Sequence, residues 1–399
     1  MTPPTQSDVV VVGAGIAGLA LAAALAARGL QVVLLEAGPR PTLADATVGL
    51  DGWDLRVSAL TPSSIHFLDQ LGVWPALVAK RVGPYDHMQV WDADGTGNIS
   101  FSAIDLGVPE LGYIVENRLT IDALLEVVER APNVNIIWQD PVAGLSTEAT
   151  GYRLITTASG LHLTAPLVVG ADGANSRLRD LAGFEVRRWS YHQQAIVATV
   201  SLAASHQQTC YQAFLSSGPL AMLPLAQDDY CALVWSLDDG AWEAIAALDE
   251  DIFVDALNRA LAGQLPAANG VSQRGVFPLN QCHAVDYIQP RLALLADAAH
   301  SIHPLAGQGI NLGLADVRVL AEEIGHAAQD GLDWGEMSML KRYQRQRKSE
   351  NLAMMAAMEV FKRGFGGANP LLRVARNMGL SWVDRAGPIK HWLAKQALG

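Results

Sequence analysis

The chain has 399 residues, 50% of them hydrophobic and 17% charged, with a formal net charge of −12. This composition excludes a disordered chain and a small disulfide-stapled one, and the length allows two or three domains. Its three cysteines (Cys210, Cys231, Cys282) lack metal or redox spacing, which suggests a reducing, cytoplasmic compartment.

The first informative stretch is Val9-Val10-Val11-Val12-Gly13-Ala14-Gly15-Ile16-Ala17-Gly18, which runs through an alanine-rich segment to Leu34-Leu35-Glu36. Four valines predict a strand buried on both faces, as in a parallel sheet covered by helices. Gly13 permits a tight turn, Gly15 lets a pyrophosphate approach the backbone, and Gly18 lets the helix pack on the strand. Free N–H groups at the helix start favour phosphate. Glu36, 18 residues after Gly18, stands where an acid meets a ribose 2′-hydroxyl. The competing reading is a chance glycine turn in an ordinary βαβ unit. These residues point to a dinucleotide and leave FAD and NAD undivided. No basic segment precedes this stretch, so no secretory signal is read, and the apolar run near Ala17 to Ala27 is too short to span a bilayer.

Farther on, Thr61-Pro62-Ser63-Ser64 predicts a helix start, with Gly72 as its end. A strand hairpin is expected between Gly83 and Phe101, then a helix opening near Glu116-Asn117-Arg118 with Thr120 as its cap, then a strand over 134–138. Pro166-Leu167-Val168-Val169-Gly170-Ala171-Asp172-Gly173 reads as a second apolar strand running into a glycine turn. From about Val186 to Gly275 the βα rhythm is lost, with strands at 195–200 and 231–235 and one helix near 252–261; this reads as a separate α+β lobe. Phe277 begins the return. Arg291 to Asp297 is expected to be a third buried strand, followed by a loop through Pro304, Gly307, Gly309, Ile310 and Asn311 and a helix from about Leu312. An acid at the end of such a strand faces the ligand crevice of an open α/β sheet. His300 and His303 lack a partner at metal spacing, so a packed or hydrogen-bonded histidine is preferred to a metal ligand.

From Trp334 the chain reads as helical, with breaks at Gly364–Pro370 and Gly387-Pro388. From Lys341 onward 12 Lys and Arg face three acids, a local charge of +9 beside −21 for the first 340 residues. Basic patches interleaved with aromatics are lacking, so nucleic acid is not expected as a partner. The basic tail suits a membrane surface or an acidic partner, or a solvated face balancing the acidic body. Leu371, Val374, Ala375, Met378 and Trp382 form one helical stripe, which suits an interfacial helix or one packed on its own domain or on a partner subunit.

Taken together, the Gly13–Gly18, Gly170–Gly173 and Ala296–Asn311 motifs resemble the group A flavin monooxygenases, typified by p-hydroxybenzoate hydroxylase. Arg56-Val57-Ser58-Ala59-Leu60, Val115–Arg118, Gly218–Leu225, Arg345–Leu352 and Asp384–Lys390 resemble the ubiquinone-biosynthesis hydroxylases within that group. The resemblance spans nearly the whole chain. It implies a Rossmann-like FAD-binding domain of glutathione-reductase type over 1–75, 99–182 and 277–333. It also implies an inserted α+β substrate domain over 76–98 and 183–276, and a C-terminal helical region over 334–399. One departure stands out: the family usually has Gly where this chain has Ala296, and a positive φ there would lower FAD affinity.

The resemblance further implies a resident FAD, NADPH or NADH as transient reductant, and O₂ activated as a flavin C4a-hydroperoxide that hydroxylates an aromatic ring. The flavin carries the chemistry, so no catalytic side chain is expected. Cofactor contacts would come from Gly13, Gly15, Ala17, Gly18, Glu36, Arg56, Arg118, Asp172, Asp297, Pro304, Gly307, Gly309, Ile310 and Asn311. Pro304, Gly307 and Gly309 would lie beside the flavin ring. Leu220, Met222, Pro224 and Trp235 are the candidates for the substrate pocket wall, a plain core role being the competing reading. The substrate would be a lipophilic, polyprenylated phenol. Peripheral association with the inner face of a membrane or with a biosynthetic complex is expected, and homo-oligomerisation is open. The alternatives are a non-catalytic FAD-holding subunit and a flavin reductase or hydroxylase acting on another aromatic or isoprenoid substrate. A flavin-dependent halogenase is disfavoured because no Trp-x-Trp-x-Ile-Pro stretch occurs.

Overall fold

The computed structural model describes residues 5–42, 49–93, 95, 97–148, 151–301 and 309–365, with side chains as far as 357. Its central element is a six-stranded sheet in the order Ile288–Gln289, Leu292–Leu294, Leu167–Gly170, Val9–Val12, Val32–Leu35, Val134–Ile137. Apart from the short antiparallel first strand, all of these run parallel. Val9, Val10 and Val11 are completely buried because helices cover one face of the sheet and a second sheet the other. The helices are Ile16–Ala26, Asn117–Arg130 and Gly309–Gln329. The second sheet has four strands, Thr5–Gln6, His162–Ala165, Arg153–Thr157 and Val142–Thr147, and contributes Leu163 and Ile155 to the same core. Ile16–Ala26 is apolar all round and buried from Ile16 to Leu25, as a helix enclosed between layers must be.

A nine-stranded sheet forms the second lobe around the long strand Val186–Leu202. Strands Gly275–Ala284 and Tyr230–Asp238 flank it antiparallel, and Gly218–Pro224, Thr209–Leu215, His87–Asp92 and Asn98–Ser102 follow outward. The helix Glu250–Leu261 closes one face, burying Phe253, Leu257 and Leu261. Burial of each such side chain contributes roughly 1.5–3 kcal/mol. A small sheet of Val57–Leu60, Gly112–Glu116 and Gly83–Tyr85 packs on the other face. The long helix Met337–Phe365 lies on Gly309–Gln329. Among the described residues no helix is long and apolar enough to cross a membrane.

Several expectations shift. Thr61 caps the helix Pro62–Gln70 as expected, its Oγ1 accepting the Ser64 amide at 3.4 Å. Thr120 does not cap the next helix, which starts at Asn117 directly from the strand Gly112–Glu116. Its hydroxyl lies inside the helix and donates back to the Glu116 carbonyl at 3.2 Å. The expected strand ending at Asp297 stops at Leu294, because Ala296 adopts φ +51° and opens a single 3-10 turn, Ala296–Ala298. The following helix has begun by Gly309, not at Leu312. Position 277 falls inside the strand Gly275–Ala284, so the second lobe runs on to Ala284. Asn98–Ser102 pairs with His87–Asp92 and belongs to the same lobe, across the expected boundary at 98.

The tightest packing is at the first glycine turn. A Cβ on Gly18 would stand 1.8 Å from the Gly13 carbonyl oxygen, a backbone atom that cannot swing away. Gly18→Ala is therefore expected to cost about 3 kcal/mol or more, as overpacking against backbone does. Chemical denaturation of the purified variant measures this; an unchanged midpoint would contradict the packing described.

Candidate active site

The three glycine-bearing motifs meet at the C-terminal ends of three adjacent parallel strands. The Ala171 amide donates to the Val12 carbonyl at 2.8 Å and the Leu295 amide to the Gly170 carbonyl at 3.0 Å. The first turn therefore sits beside the second and the second beside the third. In an open α/β sheet, ligands bind in the crevice outside these strand ends, where the strand order reverses. Here the order reverses between Val9–Val12 and Leu167–Gly170.

Within the first turn, Gly13 has φ +103°, and a Cβ there would lie 2.5 Å from the Ala171 carbonyl oxygen. Gly15 differs: a Cβ there meets nothing within 4 Å. Gly15 caps the helix Ile16–Ala26 with no side-chain hydrogen bond and no acid in the first turn, which leaves the N-terminal amides open to an anion. Glu36 is held at the end of the next strand, its Oε2 accepting the Ala14 amide at 2.6 Å and its Oε1 the Gly38 amide at 2.7 Å. Ala17 packs into the core. A closed turn with one open glycine, an unfilled helix N-terminus and an anchored acid are the donor set that a dinucleotide cofactor needs. The residues fit FAD.

At the third motif, Asp297 is exposed just past the end of its strand, while Ala298, Ala299 and His300 after it are buried. Crowding by protein atoms pushes its carboxyl above the usual range, and the charges of His300 and the exposed Arg56 oppose that rise. Ala296 is left-handed, which costs an alanine roughly 1–2 kcal/mol. Gly313 makes room for the Ala296 methyl: a Cβ at 313 would be 2.9 Å from it. Asn311 ties this region to the small sheet, its Oδ1 accepting the Thr61 amide at 3.1 Å and its Nδ2 donating to the Ala59 carbonyl at 2.7 Å. Gly309 and Ile310 are half-buried at the start of the same helix. Pro304, Gly307 and His303 lie outside the described residues, as does the stripe from Leu371 to Trp382.

Two buried charges that sequence reasoning missed hold the motifs together. Arg179, fully buried, donates to the Ala174 carbonyl at 2.9 Å and the Ala298 carbonyl at 3.0 Å, tying the second turn to the third. Asp316, also fully buried, accepts on Oδ2 from the Ala296 amide at 3.0 Å and from His300 Nε2 at 2.5 Å. Its Oδ1 accepts from Arg347 Nε at 2.7 Å and Asn351 Nδ2 at 3.1 Å. Burial would push the Asp316 carboxyl up, but His300 and Arg347 together hold it down at about 2. Arg347 also reaches Glu350 and Asn351. Spacings of 16 and 31 residues carry no periodic signal, so only the fold brings these groups together.

Other expected site residues are placed differently. Arg118 faces inward, with Nη2 donating to the Gly52 carbonyl at 2.5 Å and to Glu116 at 2.9 Å, while its buried Nε has no partner. Arg81 completes this cluster, holding Glu116 at 2.5 Å and stacking over Trp53 at 4.0 Å. Asp172 is engaged in its own turn, accepting from the Ser176 hydroxyl at 2.5 Å and the Leu178 amide at 3.0 Å. Leu220, Met222 and Trp235 belong to the helix-covered core rather than to the crevice wall. Trp235 meets Phe253 edge-on at 6.0 Å, and Leu220 pairs across the ladder with Trp235. Pro224, buried at the end of the same strand, pairs with Cys231 on that parity. The alternation of the strand puts Ala221 and Leu223 on the opposite face, against Trp53, Ala59 and Ile114. Alongside them, Leu55 packs on Ala195, Val197 and Leu279.

Comparison with known proteins agrees with this geometry. The family described as FAD binding domain matches residues 6–357. The 3-demethoxyubiquinol 3-hydroxylase of Escherichia coli (strain K12) is 37% identical over 98% of this chain and 98% of its own length. The mitochondrial ubiquinone biosynthesis monooxygenase COQ6 of Xenopus tropicalis is 36% identical over 98% of this chain and 93% of its own. The crystal structure of p-nitrophenol 4-monooxygenase PnpA from Pseudomonas putida DLL-E4 superposes with a TM-score of 0.79, covering 100% of this chain and 99% of that one, at 19% identity. That likeness is one of fold.

The polar cluster also sets a pH dependence. His283 is buried, accepts from the Tyr287 hydroxyl at 3.2 Å, and is lowered to about 4 by burial and by the charges of His300, Lys348 and Arg187. A histidine that must charge on unfolding stabilises the fold fully above its ordinary pKa of 6.5, and that contribution is lost as pH falls from 6.5 toward about 4. Within that window the slope is up to about 1.4 kcal/mol per pH unit. His283→Gln is expected to flatten the loss. Denaturation midpoints taken across the window check this, and parallel curves for the two proteins would refute it.

Proposed function

Starting from the FAD binding domain family, to which the chain belongs as an FAD-dependent monooxygenase, we propose that it hydroxylates the ring of a polyprenylated phenol on the route to ubiquinone. The observation that carries this reading is the apolar face of the large sheet. Ala221, Leu223, Val197 and Leu279 pack against Leu55, Val57 and Ala59, and Asn311 ties Ala59 to the third motif. A wall of this kind suits a flat ring with an isoprenoid tail and keeps water from the reacting centre. The names of the full-length relatives support the same substrate class.

When bound, FAD would supply the redox chemistry, with NADH or NADPH as reductant and O₂ as oxidant. The protein supplies position and electrostatics. In this reading the amides at Gly15 and the following helix turn hold the pyrophosphate, Glu36 holds the adenosine ribose, and Asp297 and Arg56 hold the polar chain between. The amides from Gly309 to Asn311, at the start of a helix, face the ring end and favour negative charge on the reduced flavin. Asp172 and Arg118 act by shaping the turns rather than by direct contact. Peripheral membrane association is part of the proposal, supported by the basic excess from Lys341 onward.

Three experiments follow. Gly15 has an extended backbone and open space around it, so Gly15→Val should fold normally yet weaken FAD at least tenfold, roughly the loss expected when a side chain blocks pyrophosphate approach. Fluorescence titration of the apoprotein with FAD reads the loss; unaltered affinity would remove the assignment. Lipid extracts of a strain lacking the protein should accumulate a polyprenylated phenol one hydroxyl short, and an intact quinone pool would overturn the substrate. Deleting 373–399 should weaken binding to anionic liposomes while FAD stays bound; equal binding would rule out the membrane reading.

A further inference from the structure

We propose that Asp316 is a positioning residue for the FAD-binding turn, holding Ala296 in the left-handed conformation so that Asp297 opens toward the crevice. The proposal rests on the FAD reading alone and is independent of the substrate. It begins from Ala296, which has φ +51° in a turn where the chain's own geometry would accept glycine without strain. Ala262 shares the positive φ among alanines, but it merely closes the helix Glu250–Leu261 at its exposed end.

Two features offset the strain at Ala296. Gly313, one turn into the neighbouring helix, leaves the space that the Ala296 methyl fills. Asp316, on the same helix, takes the Ala296 amide on Oδ2 and takes His300, at the far end of the turn, on the same oxygen. A single carboxylate oxygen therefore fixes both ends of the segment that carries Asp297. The other oxygen is saturated by Arg347 and Asn351 from the helix Met337–Phe365. A buried ion pair is a poor device for stability alone, since apolar residues of similar volume do as well. What a buried, fully bonded carboxylate does well is define one backbone geometry, and the geometry defined here is that of the cofactor-facing turn.

Asp316→Asn separates these roles. Its amide has one acceptor oxygen, which the charged Arg347 attracts, so the NH₂ group is turned toward the Ala296 amide, donor against donor. FAD affinity of the folded variant is expected to fall about tenfold, the equivalent of losing support for one left-handed alanine. Adding Ala296→Gly should return it to within about threefold of the parent, because glycine needs no such support. The lowered melting temperature should not recover, since Arg347 and His300 still lack the buried carboxylate they share. If Asp316→Asn does not fold, Arg347→Lys with and without Ala296→Gly gives the same comparison from a milder loosening of the carboxylate. Titration of each apoprotein with FAD, followed by flavin fluorescence, reads the result. A parent that binds no FAD would sink the cofactor reading itself. A parent that binds, with variants that either keep full affinity or lose it without rescue by Ala296→Gly, would overturn the positioning role.

Discussion

The structure depends on how closely three parallel strands end together. Gly13 and Gly18 leave no space for a Cβ, because the Ala171 and Gly13 carbonyls already occupy it. This closeness brings the first helix down onto the sheet and leaves its N-terminal amides free at the open Gly15. Closed packing beneath and an open backbone above are one arrangement seen from two sides. A dinucleotide site needs both, since a ligand with two phosphates must approach the main chain while that main chain stays fixed.

Fixing the strand ends takes more than packing. The turns after the second and third strands set the Ala174 and Ala298 carbonyls and the Ala296 amide against buried charges, and buried polar groups need partners. Arg179 supplies them between the second and third turns, and Asp316 supplies them between the third turn and the C-terminal helix. Both are fully buried. The long helix Met337–Phe365, far along the chain from the glycine motifs, is thereby tied to the third turn through Arg347 and Asn351.

How much of this was legible follows from the range of each signal. The run Val9–Val12, the glycine spacing and Glu36 are local, and the βαβ unit they predict is the one found. The pocket wall was read from resemblance, which points to a segment but not to a face. Leu220, Met222 and Trp235 lie on the parity that the helix Glu250–Leu261 covers, and their neighbours Ala221 and Leu223 lie on the opposite face, against Trp53, Ala59 and Ile114. Thr120 looks like a cap, yet the strand before it delivers the chain into a helix three residues earlier. The replacement of glycine by Ala296 is visible in the sequence, but its positive φ is not, since a dihedral follows from the turn and not from the residue. Asp316 gives no sign of its burial, and Arg347 stands out only as part of the Arg345–Leu352 resemblance, because a charged residue every few positions on a helix ordinarily means a wet face. Only tertiary packing shows that these two are inside.

The central claim is that the cofactor held at these strand ends delivers oxygen to a ring lying against the apolar sheet face. The most direct measurement is turnover of the FAD-loaded protein with NADH or NADPH, a prenylated phenol and ¹⁸O₂, with mass spectrometry of the extracted product. The account predicts one labelled oxygen on the ring and oxidation of the nicotinamide in step with product. Unlabelled hydroxylated product, or nicotinamide oxidised with no change in the phenol, would contradict it.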